Sequence, residues 1–145
     1  MNNKLKELIN SLIKLTKNKR IEWNAVTEYL EENRNEILRR FIINSNQYYD
    51  QTIKNEPYLQ EYKSYCVQFN DGYIYVFSFT NFLKAENYYI LCTQNKKASS
   101  IITLNTSDTY QEDIRKLVLY IQNQFDNIDS FVDSIISEGN TIIDK

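Results

Sequence analysis

The sequence predicts an α+β domain: N-terminal helices, a four-stranded antiparallel meander, and a long C-terminal helix packed on the sheet. Three observations predict it. Apolar residues recur at helical spacing in the first third of the chain, alternate with period 2 through the middle, and return to helical spacing in the last third. With 145 residues, one domain over 1–145 is expected, divided into a helical part at 1–55, a sheet at 63–105 and a C-terminal helix at 109–138.

Leu5, Leu8, Ile9, Leu12 and Ile13 form one stripe of an amphipathic helix from Asn3 to Lys17, with lysines around the rest of the helix. Asn18-Lys19-Arg20 ends it. A second helix, from Trp23 or Asn24 to Glu32, buries Trp23, Val26 and Leu30. After the Asn33-Arg34-Asn35 break, Asn35 caps a third helix that carries Ile37, Leu38, Phe41 and Ile42. A weaker helical or irregular piece continues through Tyr48 and Tyr49 to Pro57. Residues 44–62 are the place for a hinge between the helical and sheet parts.

Tyr65, Val67 and Phe69 then alternate with Cys66 and Gln68. Asn70-Asp71-Gly72 marks a hairpin, with the positive φ expected at Gly72 and at Asp71. In the next strand Tyr73, Tyr75, Phe77 and Phe79 face one way, Ile74 and Val76 the other. Both faces are apolar, so the strand belongs in the centre of a sheet covered on at least one side. Tyr88–Thr93 and Ser100–Leu104 complete the meander. Thr109 to Glu112 has capping-box spacing. Ile114, Leu117, Val118, Ile121, Phe125 and Ile128 follow as a helical stripe that Val132, Ile135 and Ile136 continue, with a break allowed near Asp126 and a stop at Gly139.

Composition removes several chemistries. There is no histidine, so no Ser-His-Asp triad, Cys-His pair or imidazole metal site can be written. Two glycines, Gly72 and Gly139, cannot build a glycine-rich phosphate cradle. No cofactor is expected. Cys66 and Cys92 lie inside apolar runs without metal-ligand spacing, as buried, reduced thiols of a cytoplasmic protein do. No secretory signal is visible, and the longest uncharged apolar stretch, Gly72–Leu83, is too short for a bilayer, which needs about 20 residues. Asp126, Asp129 and Asp133 share one side of the last helix and read as a solvated acidic face rather than a metal or acid–base site.

The net charge is −2, which disfavours a dedicated nucleic-acid binder, but its distribution is uneven. Residues 1–20 carry six basic side chains against Glu7, whereas residues 105–145 carry eight acids against three bases. The two ends are expected to attract one another, within the fold or head to tail between copies.

Aromatic residues supply the candidate contact surface. Tyr48, Tyr49, Tyr58, Tyr62 and Tyr65 gather where the helices give way to the sheet, and tyrosine offers large contact area with a polar tip. Trp23, Tyr48, Tyr49 and Tyr58 are the expected anchors for another protein. The alternative is a DNA-binding helix-turn-helix at 23–43, with Arg34, Asn35, Arg39 and Arg40 meeting the groove and phosphates. Glu31, Glu32 and Glu36 oppose it by placing like charge against DNA. A homodimer through an uncovered sheet face or the C-terminal helix is also compatible with the pattern.

Leu15-Thr-Lys-Asn-Lys-Arg-Ile-Glu-Trp23, Pro57-Tyr-Leu-Gln-Glu-Tyr-Lys-Ser-Tyr-Cys66 and Asp126-Asn-Ile-Asp-Ser-Phe-Val132 give the chain a resemblance to small uncharacterised proteins of prophages and integrative elements of low-GC Gram-positive bacteria. The resemblance carries no catalytic residues. It implies a setting in which small acidic cytosolic proteins bind and block, or tune, a larger host or defence protein.

Overall fold

The computed structural model describes residues 2–33, 35–52, 58–81, 86–97, 99–125 and 128–142. Five helices and six strands follow in the order α1 (Asn2–Lys17), β1 (Asn24–Ala25), α2 (Val26–Asn33), α3 (Glu36–Thr52), β2 (Tyr58–Leu59), β3 (Tyr65–Phe69), β4 (Gly72–Asn81), β5 (Glu86–Gln94), β6 (Ile102–Thr103), α4 (Gln111–Phe125) and α5 (Ile128–Asn140), with a 3-10 turn at Glu61–Lys63. All strand pairings are antiparallel. The expected meander is β3-β4-β5-β6, and the α+β class holds. The sheet has two strands more than expected, because β1 pairs with β3 and β2 with β4. Each is only two residues long, too short to show a period.

Strand β4 is central, and its alternation sorts the helices into two layers. Val76 faces the same way as Tyr65, Val67 and Leu91, and α1 and α4 cover this face with Leu5, Ile9, Leu12, Ile114, Leu117, Val118 and Ile121. Tyr73, Tyr75 and Phe77 face the other way with Cys66 and Cys92, under Val26 and Tyr29 of α2 and Leu38 and Ile42 of α3. Phe41 stacks on Phe77 at 4.6 Å between ring centroids. Both sheet faces are therefore covered, which accounts for the apolar residues on both sides of β4.

Strands β2 and β3 lie in turn along the same edge of β4. Tyr65 pairs with Val76 and Leu59 with Phe79. The 3-10 turn between them is stitched down by two serines: the Ser78 N–H donates to Ser64 Oγ (3.1 Å), the Ser78 hydroxyl to the Lys63 carbonyl (2.6 Å), and the Gln60 N–H to the Ser78 carbonyl (2.8 Å). Of the expected hinge at 44–62, residues 58–62 are thus tied to the sheet and 44–52 continue α3 unbroken, while 53–57 lie outside the described residues.

Three local expectations are corrected. In the β3–β4 hairpin the positive φ falls on Asn70 (56°), not on Gly72 or Asp71. Asparagine tolerates that region because its short polar side chain bonds locally. Gly72 sits at a tight point instead, since a Cβ there would stand 3.2 Å from the Asn95 carbonyl oxygen. At the start of α4 no capping box forms: Thr109 Oγ1 accepts from the Thr106 N–H (2.9 Å), and Tyr110, at φ 58°, gives its carbonyl to the Ile114 N–H (3.0 Å). Finally, the C-terminal helical stripe, α4 followed by α5, does not pack on the sheet throughout. Only α4 packs on the sheet; every residue from 131 to 142 is exposed. Val132, Ile135 and Ile136 therefore do not continue the core stripe.

Candidate functional site

Side-chain amides hold the fold together at three places the sequence does not announce. Gln94, the last residue of β5, is fully buried. Its Oε1 accepts from the Tyr75 hydroxyl (2.6 Å) and from Asn35 Nδ2 (2.8 Å), while its Nε2 donates to the Lys97 (3.0 Å) and Ser99 (2.8 Å) carbonyls. All four of its hydrogen-bonding positions are used. Asn35 Oδ1 accepts from the Leu38 N–H (3.1 Å), the cap expected of it. Burial pushes the hydroxyls of Tyr29 and Tyr75 well above the usual phenol range.

On the outer edge of β5, Asn105 and Gln111 extend the ladder beyond the short β6. The Leu91 N–H donates to Asn105 Oδ1 (2.7 Å) and the Tyr89 N–H to Gln111 Oε1 (2.7 Å), and both amide nitrogens donate to the Tyr89 carbonyl. An edge that would otherwise invite another strand is closed. At the far end of α4, Gln124 clasps the loop after α1: the Trp23 N–H donates to its Oε1 (3.2 Å), and its Nε2 donates to the Thr16 (3.3 Å) and Ile21 (3.1 Å) carbonyls.

The aromatic anchors divide against this background. Trp23 is 2% exposed, its indole N–H donating to Thr16 Oγ1 (2.9 Å), so it is a core residue and not a contact residue. The side chains of Tyr48, Tyr49 and Tyr58 lie outside the described residues; the backbone places Tyr48 and Tyr49 in the last turns of α3 and Tyr58 in β2. Tyr65 is buried, and Tyr62 is 83% exposed.

The DNA-facing set also divides. Arg34 lies outside the described residues. Asn35 is fully buried and held by its bonds to Leu38, Tyr75 and Gln94, which keeps it from any groove. Arg39 and Arg40 are exposed, and Arg39 shares a shallow depression with Glu28, Glu61 and Tyr62, so acids interrupt the basic patch.

Among the described residues, no three His, Cys, Asp or Glu side chains are placed to share a metal. Asp133 is exposed, Asp126 lies outside the described residues, and so does the side chain of Asp129. Burial pushes both cysteine thiols up to about 12, away from the thiolate a nucleophile needs. Each thiol stays protonated in the folded chain while its unfolded counterpart ionises near 9. Their burial therefore stabilises the fold fully below pH about 9, and that contribution is lost as pH rises from about 9 to about 12. Cys66 and Cys92 are expected to resist iodoacetamide at pH 8 in native protein and to react within minutes in denaturant. Fast labelling of the native chain, read by intact mass, would refute their burial.

On α5, sequence reasoning assigned Val132, Ile135 and Ile136 to the core stripe, although the C-terminal helix was also a possible dimer surface. Phe131 is 67% exposed, and Val132, Ile135 and Ile136 join it in one apolar stripe over slightly more than a helical turn. The stripe was legible as periodicity, but a period does not say whether the face it marks meets the chain's own core or something else. A second apolar surface lies between α1 and the β3–β4 hairpin, a cleft of about 240 Å³ lined by Leu8, Ser11, Leu15, Phe69 and Ile74 among others.

No protein-family model, curated protein or solved structure matches this chain. Among the described residues, no helix is long and apolar enough to cross a membrane.

Proposed function

We propose that this chain is a non-enzymatic, cytosolic protein-binding module, a mobile-element modulator or inhibitor of a larger host or defence protein, and that α5 is the helix with which it grips that protein. One observation carries the reading: a 13-residue helix that displays Phe131, Val132, Ile135 and Ile136 to solvent. Apolar side chains grouped at i, i+1, i+4 and i+5 are the anchors an amphipathic helix lays into a partner's groove.

The chemistry of α5 favours a protein over a membrane. Its charged residues are Asp129, Asp133 and Glu138, with no lysine or arginine. Helices that lie in lipid headgroups carry the opposite sign on their polar face. An acidic helix with an apolar ridge suits a groove with a basic rim.

Capture with the tagged full chain from its native host is expected to retain one specific protein. Phe131→Asp with Ile135→Asp should lose it while Tm stays within about 2 °C, because exposed positions contribute little to stability. Tyr48→Ala with Tyr49→Ala tests the tyrosine surface in the same assay and is expected to keep the captured protein. Capture that survives the α5 variant and is lost in the tyrosine variant would move the site from α5 to the α3 tyrosines.

A further inference from the structure

We infer that the chain forms a symmetric dimer by reciprocal exchange, α5 of each copy lying in the cleft beside α1 of the other. This rests on α5 as the docking helix and adds what covers it when the larger protein is absent.

The cleft has the size and chemistry for a helix ridge. At about 240 Å³ it falls below the roughly 300–1,000 Å³ of small-ligand pockets. Its lining is nearly all apolar, and it opens to solvent between α1 and the hairpin, where Phe69 is 57% exposed. A few large side chains presented together would fill it. Phe131 and Ile135, one turn apart on α5, are such a pair, and Ser11 on the cleft wall leaves room for close approach of a helix.

Charge selects the same pairing. Lys4 stands one turn before Leu8 on the cleft's own stripe of α1, the exposed Lys14 precedes Leu15 of its lining, and the exposed Lys96 and Lys97 follow β5, whose Thr93 lines the far side. Asp71 and Glu7 only partly offset them. Helix α5 brings three acids and no base. The +5 of residues 1–20 and the −5 of residues 105–145 thus have a place to meet.

Within one copy α4 packs beside α1, but the described side chains of α5, residues 131–142, stay exposed. Two copies satisfy both halves at once, since each supplies one helix and one cleft. A two-fold exchange closes, whereas a one-way contact would propagate into open chains. In the dimer the apolar stripe that would grip the larger protein is covered, so dissociation regulates its display.

Sedimentation velocity on the full chain tests this. Wild type is expected to dimerise below about 100 µM. Ser11→Glu with Phe69→Glu and, separately, Phe131→Asp with Ile135→Asp should each be monomeric and retain the wild-type circular dichroism spectrum, because all four positions are exposed. An equimolar mixture of the two variants restores one intact helix and one intact cleft, and should give a heterodimer at least about tenfold weaker than wild type. Monomeric wild type at that concentration overturns the dimer. So does a cleft variant that still dimerises, which would mean α5 pairs with α5, or a mixture that stays monomeric. If the dimer fails while Phe131→Asp with Ile135→Asp still loses the captured protein, the binding function of α5 stands without it.

Discussion

Replacing Gln94 with leucine is expected to lower the unfolding free energy by about 3–5 kcal/mol, as two buried donors lose their acceptor. The Tyr75 hydroxyl and one Asn35 N–H both point at Gln94 Oε1. Neither can reach water, since Gln94, Asn35 and Tyr75 are all fully buried. The Lys97 and Ser99 carbonyls also lose the amide that ties the β5–β6 connection to the core. Urea denaturation should show the midpoint falling with little change in slope. Tyr75→Phe removes one of the stranded donors, so the double variant should be less destabilised than the sum of the singles, by about 1–2 kcal/mol. Strict additivity, or a loss below about 1 kcal/mol for Gln94→Leu, would show that water enters the site and takes over its bonds.

What the sequence made legible was whatever repeats. Leu5, Ile9 and Leu12 define α1 because their spacing matches one helix face. The Tyr73–Phe79 alternation shows a doubly covered strand because both its residue sets are apolar. Asn35 was readable as a cap, since a cap acts on the next three residues. Its bond to Gln94 spans 59 positions and leaves no local trace. The same holds for Gln124, which reaches back across 101 residues to Trp23. Amides that finish a ladder or clasp a loop follow no period, and nothing around Asn105 or Gln111 distinguishes them from surface polar residues.

The failure at α5 was of another kind. Its pattern continued that of α4 closely enough to suggest one helix and one core. The described residues carry α4 to Phe125 and α5 from Ile128. On α4, Ile114, Leu117 and Ile121 are fully buried against the sheet; on α5, Phe131 and Ile135 are more than half exposed. The same apolar spacing is buried in one helix and exposed in the other.

Trp23 separates the two roles of an aromatic most sharply. An aromatic anchor of a protein interface, once cut to alanine, should abolish binding and leave stability alone. Trp23 should behave the opposite way. It joins α1, α4 and the sheet in one cluster, and its backbone is gripped by Gln124. Trp23→Ala is expected to cost about 3–5 kcal/mol through the cavity it opens. That is a large part of the 5–15 kcal/mol typical of folded proteins, and in a chain of this length it corresponds to a fall in Tm of roughly 10 °C. Trp23→Phe keeps most of the apolar volume and removes the indole donor. Thr16 Oγ1 still donates to the Leu12 carbonyl, so what it loses is one incoming bond, and the expected cost is about 1–2 kcal/mol. Thermal melts of the two variants should therefore rank alanine well below phenylalanine, with both below wild type. A Trp23→Ala variant as stable as wild type that no longer captures the partner would return Trp23 to the surface and detach α1 from the core to which Gln124 binds it.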